Sequence, residues 1–343
     1  MMEKSKAKLK QLYEVINHNA SMLIVMQDHP DPDAIASAVA LRKIANQIAN
    51  IQCSIAHGGT VGRAENRALV KYLNLNLRPA EQIDFASFDL IAMVDTQPGT
   101  GNNSLPSGVE PDIVIDHHPC HRNTRQCRFT DIRSHYGATS TILVEYLYAS
   151  GIEIDASLAT ALLYGIRSDT QDLGRDTTCA DVNALMALYP KANKRILSQI
   201  QHGAVQREYY KYLAECLNNA RVFGRAVISS LGTVINPDMV GEMADLLLRD
   251  EQIVWVLCYG FYEGKMLLSL RTDAESPPAA KVIRHIVARK GAGGGHDSYA
   301  GGQIPVEKLS KTQLAKWISQ IEKSFLKSVE PSAANAPCRK LIE

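Results

Sequence analysis

The sequence predicts an α/β protein of two domains: a parallel sheet with helices on both faces, then a smaller α/β domain, joined by a helical linker. Three observations carry that expectation. Short apolar runs alternate with stretches of helical spacing through the first half, the pattern of a parallel sheet and its crossover helices. Beyond residue 220 the pattern changes to longer strand-like runs separated by helical stretches. A chain of 343 residues also exceeds what one ordinary hydrophobic core accommodates.

The elements follow in order. "MMEKSKAKLK" reads as the exposed first turns of a helix continuing through "QLYEVINHNA"; its basic start lacks the apolar stretch of a signal peptide. "SMLIVMQ" (21–27) is a short apolar run of the buried parallel-strand kind. "DAIASAVALRKIANQI" (33–48) has helical spacing, "IQCSIAH" (51–57) reads as a strand and "RAENRALVKYL" (63–73) as a helix. "FDLIAMVD" (88–95) and "PDIVID" (111–116) are the third and fourth strands. Helices are expected over 137–150, with Thr139 or Ser140 near the start, and over 156–170. Residues 191–220 are polar and helical and read as the linker. In the second domain, strands are expected over 221–231, 251–263 and 265–273, and helices over 237–250 and 277–290. The glycine cluster "GAGGGHDSYAGG" (291–302) reads as a loop. The domains are therefore expected at 1–190 and 221–328, with a mobile tail over 329–343.

Composition narrows the function. A charged fraction of 21% with a formal net charge of +1 excludes a general electrostatic grip on nucleic acid, and long duplex DNA is not an expected partner. No apolar run is long enough to span a bilayer, so no membrane partner is expected. The cysteines (53, 120, 127, 179, 216, 258 and 338) are odd in number and scattered. That argues for reduced thiols and a cytoplasmic protein, and without a C-x-x-C pair against a zinc knuckle.

Chemistry concentrates where the first-domain strands run out. In an open α/β sheet, ligands gather beyond the carboxyl ends of the strands. Gln27, Asp28, His29, Asp31 and Asp33 follow the first strand, Asp95 ends the third, and Asp116, His117 and His118 end the fourth. Asp169 stands at a later helix end. So many like charges could not share a pocket unpaired, because each raises the pKa of its neighbours. Divalent cations remove that conflict, and carboxylates with imidazoles suit Mn²⁺, Mg²⁺ or Zn²⁺. Asp31 and Asp33, two apart in an extended segment, are expected to face one side, and Asp95 could bridge two metals. Such a pair of ions, about 3.5–4 Å apart, activates water for attack on phosphorus. Each group alone has a plainer reading: Asp31 or Asp33 as a helix N-cap, Asp95 as a strand-end cap. Their convergence on one sheet edge is what argues for a metal centre.

At this point the motifs resemble a known family. "PDPDAIASA" (30–38), "VDT" (94–96), "DHHP" (116–119) and "GIRSDT" (165–170) resemble, in order and spacing, the motifs of the DHH phosphoesterase superfamily. "SLR" (269–271) and "GGGH" (293–296) resemble its DHH-associated domain. The resemblance is to the two-domain oligoribonuclease and pAp phosphatase type, with RecJ-like exonucleases, exopolyphosphatases and family II pyrophosphatases more distant. It implies two Mn²⁺ ions, with Mg²⁺ as the alternative. Asp31 and Asp95 would hold one, beside position 27; Asp33, Asp95, His117 and Asp169 would hold the other. His118 would act beside the scissile phosphate and Asp116 would orient the histidine pair. Arg271, the loop glycines Gly293, Gly294 and Gly295, and His296 would grip a far phosphate or terminal nucleotide. Relatives are often dimers through the first domain, which makes a homodimer an expectation here.

One departure matters. The family's first motif begins with a histidine where this chain has Gln27, its usual Asn is His29, and its usual Gly is Pro32. A neutral amide is a weak ligand, so the first ion should bind less tightly unless His29 or Asp28 swings in. The expected function is hydrolysis of phosphate esters in short nucleotides: oligoribonucleotides, pAp, or linear or cyclic dinucleotides. A non-catalytic nucleotide sensor and an inorganic polyphosphate or pyrophosphate hydrolase are the alternatives.

Overall fold

A computed structural model describes residues 2–274, 277–333 and 338–342. The chain divides into two compact units between Ala204 and Val205. The first contains α1 (Met2–Ile16), β1 (Ser21–Val25), α2 (Pro32–Ala49), β2 (Gln52–His57), α3 (Ala64–Tyr72), β3 (Leu77–Pro79) and β4 (Leu90–Val94). It continues with β5 (Ile113–Asp116), β6 (Phe129–Ile132), α4 (Thr139–Ser150), α5 (Ala156–Asp169), α6 (Cys179–Leu188) and α7 (Lys194–Gln201). Its six strands are all parallel, in the order β3-β2-β1-β4-β5-β6.

Strand side chains alternate between two cores, as the pleat requires. Met22, Ile24, Ala92, Val94, Ile113 and Ile115 pack with the α-helices. Leu23, Val25, Ile91, Met93 and Val114 face the other way. That second face is covered by the short 3₁₀ turns Ala80–Gln82 and Phe85–Ser87, through Ala80, Ile83 and Phe85. The covering is uneven because the connection "DTQPGTGNNSLPSGVEP" between β4 and β5 is too rich in Gly, Pro and Asn to carry helical periodicity. Strands β3 and β6, three and four residues long, are additions to the sequence expectation.

The second unit contains α8 (Arg207–Asn219), β7 (Arg221–Phe223), β8 (Ala226–Thr233), α9 (Asp238–Leu247), β9 (Trp255–Tyr262), β10 (Lys265–Thr272), α10 (Ala279–Val287), β11 (Ala292–Gly295), β12 (Tyr299–Pro305), α11 (Lys311–Val329) and β13 (Arg339–Lys340). They build a mixed sheet in the order β11-β12-β10-β9-β8-β7-β13. Ile228, Leu257, Leu268 and Leu270 pack with Ile283 of α10 and Phe325 of α11. Val227, Val256 and Cys258 on the opposite face pack with Cys216 of α8 and Met243 of α9. The single strand read over 221–231 is broken into β7 and β8 by Gly224, whose φ of +59° turns the chain back on itself. Residues 191–220 hold two helices: α7 packs with α3 and α5 of the first unit, and α8 with β8 and α9 of the second.

Two sequence expectations are corrected here. The glycine cluster is not a loop: Gly293, Gly294 and Gly295 form edge strand β11, paired with Gly302, Gly301 and Ala300 of β12. The tail read as mobile contributes a strand, since Arg339 and Lys340 pair with Val222 and Arg221 and the Leu341 amide donates to Ala220. Residues 334–337 and Glu343 of that tail lie outside the described residues. Among the described residues, no helix is long and apolar enough to cross a membrane.

Candidate metal centre

The order of the first sheet reverses direction between β1 and β4, which opens a crevice at the carboxyl ends of those strands. Asp95 is the first residue beyond β4. Its φ of +59° lies in the left-handed region, a strained conformation worth about 1–2 kcal/mol. The surroundings hold it there: its amide donates to the Ile115 carbonyl at 3.1 Å, and Thr139 Oγ1 donates to its carboxylate at 2.9 Å.

Asp33 sits in the first turn of α2 and is fully buried. Its two oxygens accept from the amides of Thr139 at 2.7 Å and Ser140 at 2.8 Å, the first N–H groups of α4. The positive end of that helix thus steadies a buried carboxylate. Gly165 makes the approach of α5 feasible. A Cβ there would lie 3.2 Å from the Asp33 Cα and 2.7 Å from Ser140 Oγ. One turn further on, α5 ends at Asp169.

His117 joins these carboxylates. Its Nε2 lies 2.9 Å from Asp169 and 3.6 Å from Asp95. Its Nδ1 is 3.1 Å from the backbone carbonyl of Tyr136, which can only accept. The proton of a neutral ring is therefore on Nδ1, and Nε2 is the ligand atom. The Tyr136 turn is pinned in its turn by buried Arg133, whose guanidinium reaches the Tyr136 hydroxyl at 3.2 Å, Asp131 at 2.7 Å and Glu145 at 2.7 Å.

The electrostatics record unresolved repulsion. Burial, then Asp169, pushes Asp33 up to about 7. Burial and four neighbouring carboxylates raise Asp95 well above the usual range. Burial and Asp169 also raise Asp31. For His117, burial works to lower the pKa, but Asp169, Asp33 and Asp116 override it and raise the ring to about 10. Asp169 is held below its ordinary value, against burial, by His117 first and then by His118 and Arg175.

A cation answers this pattern. His117 Nε2 is buried and has no hydrogen bond of good geometry, although the Asp169 carboxylate stands 2.9 Å away. Ligand atoms of Asp33, His117 and Asp169 lie within 4.8 Å of one another, and so do those of Asp95, Asp116, His117 and His118. An orphaned imidazole nitrogen among buried carboxylates fits a divalent cation that prefers oxygen and nitrogen donors.

The remaining sequence candidates fall into place with changes. Asp116 does not orient both histidines. Its Oδ1 accepts from His118 Nδ1 at 2.8 Å and its Oδ2 accepts from Gln97 Nε2 at 2.7 Å, while His117 is set by Tyr136. His118, with a third of its side chain exposed, is the accessible imidazole. Asp31 and Asp33 are not in an extended segment: Asp31 caps α2, accepting from the Ala34 amide at 2.9 Å, and Asp33 is already helical. Gln27 donates its amide to the other Asp31 oxygen at 2.9 Å. Asp31 belongs to neither group of converging ligand atoms.

Sequence reading missed Gln97, which is buried and also accepts from the His121 amide at 2.7 Å and Thr124 Oγ1 at 2.8 Å. Nothing in "VDTQP" marks it. Thr139 and Ser140 were visible only as a helix start. Tyr136 serves through its carbonyl, which any residue carries.

The second unit holds its own cluster. Arg271, near the end of β10, contacts Asp245 of α9 and donates to Ser269 Oγ at 2.8 Å. Its guanidinium lies 5.8 Å from the Tyr299 ring, and that ring stacks on His296 at 4.7 Å. Gly293 and Gly302 are small where Ile283 and Val287 of α10 press on the sheet. The three glycines cannot turn consecutive N–H groups onto one anion, because successive N–H groups in a strand point in opposite directions.

Residues 21–166 match the DHH family, N-terminal domain, and residues 223–323 match the DHHA1 domain. The chain is a two-domain protein of the DHH phosphoesterase superfamily. An uncharacterized protein of Methanocaldococcus jannaschii is 34% identical over 289 residues, 84% of this chain and 58% of that one. An A-adding tRNA nucleotidyltransferase of Aquifex aeolicus is 28% identical over 70% of this chain and 28% of its own length. The cyclic-di-AMP phosphodiesterase GdpP of Bacillus subtilis is 23% identical over 71% of this chain and 42% of its own. The chain thus spans between about a quarter and three-fifths of the curated relatives it matches. In fold it is similar to an exopolyphosphatase-related protein of Bacteroides fragilis, with a TM-score of 0.74 at 15% identity over 94% of this chain and 96% of the other. RecJ of Thermus thermophilus, solved with Mn²⁺, gives a TM-score of 0.52 at 13% identity over 98% of this chain and 55% of the other.

Proposed function

We propose that this chain is a metal-dependent phosphoesterase acting on short nucleotides. The observation that carries the reading is the convergence of Asp33, His117 and Asp169, with Asp95 3.6 Å from His117 Nε2 and the Asp116–His118 pair beside it. A divalent cation, Mn²⁺ or Mg²⁺, would supply charge for the developing phosphoryl oxyanion and acidify the attacking water. The chain's own residues do the rest. Asp33, kept in place by the α4 amides, and His117, kept in its tautomer by Tyr136, fix the pocket. Asp116 accepts the Nδ1–H of His118, so proton exchange with the leaving oxygen falls to His118 Nε2.

The second unit carries the chemistry of nucleotide recognition. The guanidinium of Arg271 suits a phosphate, and the Tyr299–His296 stack suits a base. The similarity to a cyclic-dinucleotide phosphodiesterase supports the same substrate class. A nucleotide sensor is the second reading, favoured by one observation: the Gln27 amide is spent on Asp31. The test is a product assay on pAp, linear and cyclic dinucleotides and short oligoribonucleotides with Mn²⁺, using Asp95→Ala as the blank. Release of mononucleotide or phosphate by the wild type alone supports hydrolysis. Binding without product supports the sensor, and equal turnover by Asp95→Ala would sink the mechanism.

A further inference from the structure

The resemblance calls for two ions, but the two places it names are not built alike. On the β5 side, ligand atoms of Asp33, His117 and Asp169 converge, and the buried His117 Nε2, 2.9 Å from Asp169 and 3.6 Å from Asp95, makes no hydrogen bond of good geometry. On the β1 side there is no such convergence: Asp31 belongs to neither group of converging ligand atoms, and where the Asp33 oxygens accept from backbone amides, one oxygen of Asp31 accepts from the side chain of Gln27 at 2.9 Å and the other from the Ala34 amide at 2.9 Å. For Gln27 to become a ligand, its amide would have to turn Oε1 inward, exchanging a bond to a carboxylate for a weak neutral contact. Where an imidazole would offer a strong donor, the amide behaves as a substitute for the cation.

The neighbours that could take over are engaged elsewhere. Asp28 accepts from Ser104 Oγ at 2.8 Å and lies against Gly58, where a Cβ would strike its carboxylate. His29 Nδ1 accepts from the Thr60 amide at 3.1 Å, and its ring covers Gly59, whose φ is +59°. His29 itself adopts a left-handed φ of +56° to reach that place. Two small residues in succession make room for these side chains on the β2 turn.

We propose that the chain holds a single resident divalent cation, in the pocket of Asp33, Asp95, His117 and Asp169, and that the Gln27–Asp31 hydrogen bond stands where a second ion would otherwise bind. The proposal rests on the metal-centre half of the function argued above and not on its substrate.

The experiment counts ions on the full chain without nucleotide, so failure of hydrolysis leaves it unaffected. The protein is stripped with chelator and titrated with MnCl₂, reading free Mn²⁺ and the spin-resonance spectrum of the bound ion. The expected result is one tightly bound Mn²⁺ per chain with a mononuclear spectrum, in the wild type and equally in Gln27→Ala. Gln27→His is expected to raise the count to two and to give the broadened spectrum of a coupled pair. Two ions of similar affinity in the wild type would overturn the proposal. So would loss of the ion in Gln27→Ala, and a count that stays at one in Gln27→His would refute the part assigned to Gln27. A wild type that binds no Mn²⁺ would overturn the metal centre as well.

Discussion

Asp33→Asn separates what the centre costs the fold from what it does for a cation. Burial and Asp169 raise the Asp33 pKa from 3.8 to about 7, so holding the ionised carboxylate costs the metal-free fold about 4 kcal/mol at pH 8, at about 1.4 kcal/mol per unit. The folded state binds this proton more tightly than the unfolded chain. Its contribution is therefore fully present below about pH 4 and lost as the pH climbs through about 7. Asn keeps the volume, but its oxygen can accept from only one of the Thr139 and Ser140 amides. Leaving the other amide unpaired takes back about 2 kcal/mol. In chelator at pH 8, the variant should therefore be more stable than the wild type by about 2 kcal/mol in urea unfolding. With saturating Mn²⁺ the order should reverse, because only the wild type gains binding free energy. A variant less stable than the wild type in chelator, or a difference indifferent to Mn²⁺, would refute the reasoning.

Three further outcomes follow from the same geometry. His118→Ala should lower kcat for nucleotide hydrolysis by about 10²–10⁴-fold with the Mn²⁺ count unchanged, since His118 is assigned proton transfer and not the ion. Gln97→Met keeps volume but strips Asp116, the His121 amide and Thr124 of their partner. It should cost about 3–5 kcal/mol in urea unfolding and slow hydrolysis while the chain still takes up Mn²⁺. Gly165→Ala would push a methyl into Ser140 and the first turn of α2, and should destabilise the fold by about 1–3 kcal/mol and weaken Mn²⁺ binding measured by titration.

What could be read from the sequence was what side-chain pattern encodes. The apolar runs of β1, β4 and β5 announce themselves because each is buried on both faces, and the acids at their carboxyl ends stand out against those runs. Strand β6, "FTDI", gave no such signal because its buried Asp131 is made tolerable by Arg133, a partner two residues on that pattern alone does not join to it. The glycine run could not be read as a strand, since period-two alternation needs side chains to display it. Strand β13 is two residues long and owes its place to the exposed edge of β7 rather than to its own composition. Within the centre, the acids were legible one by one, but the groups that hold them were not. The α4 amides and the Tyr136 carbonyl are backbone atoms, and Gln97 finds its role only when β4 and β5 lie side by side. The reading of Asp31 as either cap or ligand was too sharp a choice, because the structure has it capping α2 and facing the cluster's charge at once.

The most direct measurement is anomalous diffraction from a crystal of the full chain grown with Mn²⁺. The account predicts one strong peak about 2.0–2.6 Å from side-chain atoms of Asp33, Asp95, Asp169 and His117 Nε2, the range usual for oxygen-liking divalent cations. A peak lying away from these four residues, or none at saturating Mn²⁺, would contradict it.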